Sequence, residues 1–181
     1  MKTTLFVQTA FAYHQVLLIR DGEMVKSWEN DQSRQTLQFL MRVLKEMRDQ
    51  EVTEIVFIQG PGSFTSLRVG ATWVNTMAFA KSIQIYALPT LDYLGLALSL
   101  PRQKIVFTYD NQRFFLAGED QTVEQGSLPM DKQLLRPDQE KIVVDDRLLH
   151  SIQSFTEQVT GAAQTDVLYV VPPKITVPKV K

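Results

Sequence analysis

The 181-residue chain contains no cysteine, and that one absence excludes disulfides, thiolate zinc sites, iron–sulfur clusters and a cysteine nucleophile. It has only two histidines, His14 and His150, far apart and without partners at metal-ligand spacing. Nineteen basic residues against twenty acidic ones leave a net charge of −1, so total charge gives no broad grip on nucleic acid. No apolar run approaches a membrane span. The opening Met1-Lys2-Thr3-Thr4-Leu5-Phe6-Val7-Gln8 turns polar too soon for a signal peptide, so a cytoplasmic protein is expected. Internal repeats, low-complexity tracts and blocks of like charge are also missing. What remains is an ordinary soluble composition, 44% apolar, long enough for one domain or two small lobes sharing a core.

The most informative stretch is Gly60-Pro61-Gly62-Ser63-Phe64-Thr65, followed by Leu67-Arg68-Val69-Gly70. It sits between a short apolar run at 55–58, of strand length, and a long apolar segment at 69–80 with helical character. Strand, Gly-Pro-Gly, capping hydroxyl and helix make a βα turn, in which either Ser63 or Thr65 can accept a first-turn N–H. Bare N–H groups at a helix start also attract anions, so Gly60, Gly62, Ser63, Thr65 and Arg68 are candidate anion contacts. The stretch is neither a Walker A loop nor GxGxxG, and no lysine follows its glycines.

Around this turn the order of elements is regular. Strands are expected at 4–7, 13–19 and 24–28, the last two joined by the Asp21-Gly22 hairpin signal. A helix follows at 33–48, with Ser33 or Asp31 as its cap. Then come the strand at 55–58, the helix at 69–80, a strand at 84–88 and a short helix from Pro89, capped by Thr90 and stopped by Pro101. Three antiparallel strands, helix, strand, helix, strand, helix is the order of a ribonuclease-H-like lobe, the half-unit of the actin-like ATPase (ASKHA) fold. The expectation is therefore an α/β protein with a ribonuclease-H-like lobe at 1–100 and a reduced second lobe at 101–181. That second lobe holds strands at 104–108, 114–119, 122–125 and 141–144, a helix at 147–159, a last apolar stretch at 168–171 and an extended tail. Asp110 and the Asp145-Asp146 pair read as turn residues and caps.

Both long helices carry more apolar surface than one sheet face needs. In each, the apolar positions spread over roughly 200° of the wheel, against the ~100° that covers a sheet. The excess points to a shared apolar surface between molecules. Chemistry has less support. Gln8 stands on the first strand where ribonuclease-H-like enzymes and kinases of this fold place a metal-holding carboxylate, and an amide carries no charge. Ser63 has no histidine nearby in sequence and does not lie in a GxSxG elbow.

The stretch GPGSFTSLRVG at 60–70 resembles the GPGSFTGLRIG segment of the bacterial tRNA threonylcarbamoyladenosine biosynthesis protein TsaB, or YeaZ, family. Similarity extends to Thr9-Ala10, Ala78-Phe79-Ala80, Thr90-Leu91-Asp92 and the tail Leu168-Tyr169 with Pro172-Pro173-Lys174-Ile175-Thr176. The chain departs from the family with Gln8 for aspartate, Ser66 for glycine, and Asn75-Thr76 for Lys-Gly. It resembles a divergent, short member. The resemblance implies the ASKHA fold, no catalytic site or cofactor, and a role as platform for TsaD, the paralogue that modifies the adenosine beside the anticodon. It also implies the TsaE ATPase as a further partner, only indirect contact with tRNA, and a homodimer made by the same helices. On this reading the partner-binding candidates are Leu37, Leu40, Met41, Leu44, Trp73, Val74 and Met77, and Val74→Glu is expected to break pairing without unfolding the monomer. The rival expectation is a small ASKHA-type nucleotide-binding phosphotransferase using the 60–65 loop.

Overall fold

A computed structural model describes residues 1–109, 112–117, 122–125, 133–135 and 142–166. Its first sheet contains β1 (Thr3–Gln8), β2 (His14–Arg20), β3 (Glu23–Asn30), β4 (Glu54–Gly60) and β5 (Gln84–Pro89), in the order β3-β2-β1-β4-β5. β1, β2 and β3 form an antiparallel meander, and β4 and β5 run parallel to β1. Asp21 and Gly22 both take positive φ, 48° and 87°, as a two-residue hairpin turn of this hand requires. β1 is buried along its whole length, the condition of a central strand covered on both faces.

β3 is the exposed edge, where only Trp28 is buried. Its indole N–H donates to Glu46 Oε2 at 2.9 Å, Lys26 Nζ donates to the same oxygen at 3.0 Å, and the Lys26 ammonium lies 4.8 Å from the Trp28 ring centre. The Trp28 bond first, then Lys26, holds the Glu46 carboxyl below its ordinary value of 4.5. A depressed carboxylate contributes to stability above its unfolded pKa and loses that contribution as pH falls through its folded value. Acid titration of Trp28 emission should therefore show a step below pH 4.5 that Glu46→Gln removes. An unchanged step in the variant would assign it to another group.

A 3₁₀ turn (Ser33–Gln35) leads into α1 (Thr36–Glu46); α2 (Phe64–Lys81) and α3 (Thr90–Leu98) complete the first layer. The second sheet holds β6 (Ile105–Tyr109), β7 (Gln112–Ala117), β8 (Thr122–Gln125) and β9 (Gln133–Leu135), in the order β8-β7-β6-β9, and is followed by α4 (Asp146–Gln158). One core serves both sheets. Phe11, after β1, meets Phe107 edge-on at 6.1 Å, and Phe107 stacks on Phe114 at 5.1 Å. After α4, Ala162 exchanges two backbone hydrogen bonds with Ile85, and the Asn75 side chain both donates to and accepts from the backbone of Thr165. That segment is thus fastened to β5 and α2. Among the described residues no helix is long and apolar enough to cross a membrane.

Several sequence expectations need correction. Neither Ser33 nor Asp31 caps α1; the residue before it is Gln35, with no side-chain cap. α2 begins at Phe64, five residues before the apolar segment at 69–80. Thr90 is the first residue of α3 and not its cap, because its hydroxyl donates to the Pro61 carbonyl at 2.8 Å. Residues 142–144 are irregular, whereas β9 was not expected. Asp145 does cap its helix, accepting from the Leu148 N–H at 2.9 Å. Asp110, the end of the strand expected at 114–119 and the stretch and tail from 167 onward lie outside the described residues.

Candidate functional site

The glycine turn is fastened on three sides. Ser63 N–H donates to the Ala10 carbonyl at 2.7 Å, so the turn lies directly on the loop after β1. A Cβ on Gly62 would sit 2.3 Å from that same carbonyl oxygen, which leaves room only for hydrogen. Pro61 is held to α3 by the Thr90 bond. Ser63 then caps α2, its Oγ accepting from Ser66 N–H at 3.5 Å. One turn further on, a Cβ on Gly70 would sit 2.3 Å from Thr9 Oγ1, so α2 also rests on this loop.

Ser66, which replaces the glycine of the resembling motif, joins a buried row of hydrogen bonds. His14 Nε2 meets Thr36 Oγ1 at 2.7 Å, Thr36 donates to Ser66 Oγ at 3.1 Å, and Ser63 donates to the same oxygen at 3.0 Å. All four residues are buried. The row connects β2, the start of α1 and the start of α2. Sequence reading gave Ser66 no role and treated His14 as isolated, because their partners are distant in the chain.

The anion-contact candidates differ in exposure. Gly60 and Ser63 are buried, Gly62 is half-buried, and Thr65 and Arg68 are exposed. The Ser63 and Ser66 N–H groups are already spent on protein oxygens. Gln8 donates to the Tyr13 carbonyl at 2.9 Å and accepts from Phe11 N–H at 3.3 Å, so its amide closes its own loop. His14 is buried and His150 exposed. Among the described residues no group of three or more His, Asp or Glu is placed to hold a metal ion.

The apolar candidates divide into two sets. Leu37, Met41 and Leu44 are exposed, at 55%, 51% and 37%. Together with Trp73 and Met77, both largely buried, they line an open groove of about 700 Å³ between α1 and α2. Leu40 and Val74 lie elsewhere. Both are fully buried, pointing into the core with Phe39, Val43 and Leu67, so neither reaches a partner from this face. Val74→Glu is accordingly a core substitution and not a surface probe. Phe64, Val69, Thr72 and Thr76 line the groove as well. The sequence signal for Phe64 was its place after the Ser63 cap, which starts the helix earlier than its apolar stretch suggests. The Trp73 indole N–H has no hydrogen-bond partner among the described residues. Arg68 lies at the groove mouth with its guanidinium 5.4 Å from the Phe64 ring centre.

Comparisons with known proteins agree with this arrangement. The sequence pattern of the family described as TsaD, tRNA N6-adenosine threonylcarbamoyltransferase, matches residues 30–114, which include α1, α2 and the glycine turn. The tRNA threonylcarbamoyladenosine biosynthesis protein TsaB of Bacillus subtilis (strain 168) is 39% identical over 50 residues. That match spans 28% of this chain and 22% of the relative. YeaZ from Pseudomonas aeruginosa superimposes with a TM-score of 0.66 at 18% identity, over 93% of this chain and 100% of that one. A second structure, of an uncharacterized protein with similarity to peptidase YEAZ from the same organism, gives 0.65 at 17%, over 94% and 100%. At such identities the structures establish the architecture, which is the ribonuclease-H-like, ASKHA-type fold. With the motif at 60–70 and the two sequence matches over part of the chain, they mark a similarity to the TsaB/YeaZ proteins.

Proposed function

We propose that this chain is a non-catalytic partner subunit of a TsaD-type transferase in the synthesis of threonylcarbamoyladenosine beside the tRNA anticodon, working in the cytoplasm. The observation that carries the reading is the groove between α1 and α2, where three large apolar side chains stand exposed side by side. Each is already about half buried, so covering the rest would contribute on the order of 1 kcal/mol apiece before the cost of association. The family names of the relatives supply the pathway: the curated one is a threonylcarbamoyladenosine biosynthesis protein, and the matching pattern is that of the transferase. In this proposal TsaD covers the groove, TsaE joins the pair, the same helices can form a homodimer, and tRNA is met only through the partner. The uncharged Gln8 and the spent N–H groups of the glycine turn favour a scaffold over a phosphotransferase.

Reconstitution with the TsaD and TsaE subunits of the same organism tests the proposal. Omitting this chain should reduce tRNA modification to background, and calorimetry of the chain alone with Mg-ATP should show no binding heat. Full modification in its absence would remove the proposed role. Magnesium-dependent nucleotide binding by the isolated chain would restore the enzyme reading.

A further inference from the structure

Resting on the proposed role, we infer that the partner's helix face carries a carboxylate that pairs with Arg68, and that this pair selects a different chain over a second copy of this one. Arg68 is the one charged residue among the described residues lining the groove. It sits in the first turns of α2, where a cation opposes the helix dipole, so its own helix gives it no electrostatic support. Stacking on Phe64 keeps the guanidinium at the groove mouth. Among the described residues no carboxylate lies within ion-pair distance of it. A guanidinium at the edge of an apolar seam is well suited to bidentate recognition of a carboxylate brought by the partner.

The described groove lining of a second copy would not supply that acceptor. It would bring another Arg68 and no carboxylate. The C-terminal end of that copy's α2 is a poorer acceptor than a carboxylate. There the Ala78 and Phe79 carbonyls already accept from Ser82 N–H, Ala78 also accepts from Ile83 N–H, and Lys81 occupies the last turn. Charge at an interface edge acts mainly on partner choice and encounter rate, which is the role assigned to Arg68.

The test is calorimetric titration of the full chain with the full TsaD subunit of the same organism at low and moderate salt, alongside sedimentation of the chain alone. Arg68→Glu should bind about tenfold or more weakly, Arg68→Lys should fall between it and the parent, and the deficit should shrink as salt rises. Thermal melts of these variants should match the parent, since Arg68 is exposed. Reversing one partner carboxylate to arginine should recover binding to Arg68→Glu. If Arg68→Glu binds like the parent while Met41→Asp does not bind, the carboxylate pairing is wrong and the docking face survives. If Met41→Asp also binds like the parent, the face is wrong and both ideas fall. Self-association as tight as binding to TsaD would overturn the selection of a different chain.

Discussion

A Met41→Asp chain should fold and melt like the parent yet lose the proposed TsaD partner, whereas Val74→Glu should lose the fold itself. The two side chains belong to neighbouring helices and were indistinguishable by apolar character, but one is half exposed in the groove and the other is fully buried. An aspartate at position 41 stays hydrated in the free monomer, so its effect on stability should lie within about 0.5 kcal/mol. In the proposed complex the same carboxylate would be forced against apolar surface, at a cost of about 3 kcal/mol, on the order of 100-fold in affinity. At position 74 a glutamate would be sealed from solvent within the apolar core. Burying it costs several kcal/mol, out of a total stability of about 5–15. Circular dichroism melts followed by calorimetric titration with the TsaD subunit would separate the two. A folded Val74→Glu chain that retains binding would contradict the packing of α2, and a Met41→Asp chain that binds normally would contradict the docking face.

Gly62→Ala should rank among the most damaging single-methyl changes in the chain. Its Cβ would sit 2.3 Å from the Ala10 carbonyl oxygen, and that atom is backbone, so no side chain can swing aside to make room. Relief requires the turn to lift from the loop after β1, which breaks the 2.7 Å bond from Ser63 N–H and disturbs the start of α2. A loss of about 2–4 kcal/mol is expected, measured as a shift of the denaturant midpoint at constant slope. Ser63→Ala, which removes the cap and leaves the close approach intact, should cost about 1 kcal/mol. If the alanine at 62 costs no more than the one at 63, the turn does not rest on that carbonyl in solution.

The features legible in the sequence were those that a few neighbouring residues decide. The Asp21-Gly22 hairpin, a cap at Ser63 or Thr65 and a cap within Asp145-Asp146 all follow from local hydrogen bonds and backbone preferences, and the structure has the hairpin with Ser63 and Asp145 as the caps. The features that were not legible depend on residues far away. Thr90 looked like a cap, but its hydroxyl is drawn to Pro61, 29 positions earlier. Thr36 begins α1 after an uncapped Gln35, and its own side chain is committed to His14 and Ser66, 22 and 30 positions away. The seam candidates failed for Leu40 and Val74 for a related reason. A helix that is apolar over more than half its circumference has no unique inward direction, and only its seat on the sheet decides which flank is covered. For α2 that seat involves small residues, Gly62 and Gly70 against Ala10 and Thr9, a contact that no wheel displays.

The hydroxyl row from His14 to Ser63 has a mechanical meaning. Because it clips the leading ends of α1 and α2 to each other and to β2, those two helices cannot easily slide apart or change their spacing. The cleft between them is already cut to width before anything arrives, so a visitor that fits need not wait for the walls to move, and little freedom remains there to be lost on contact.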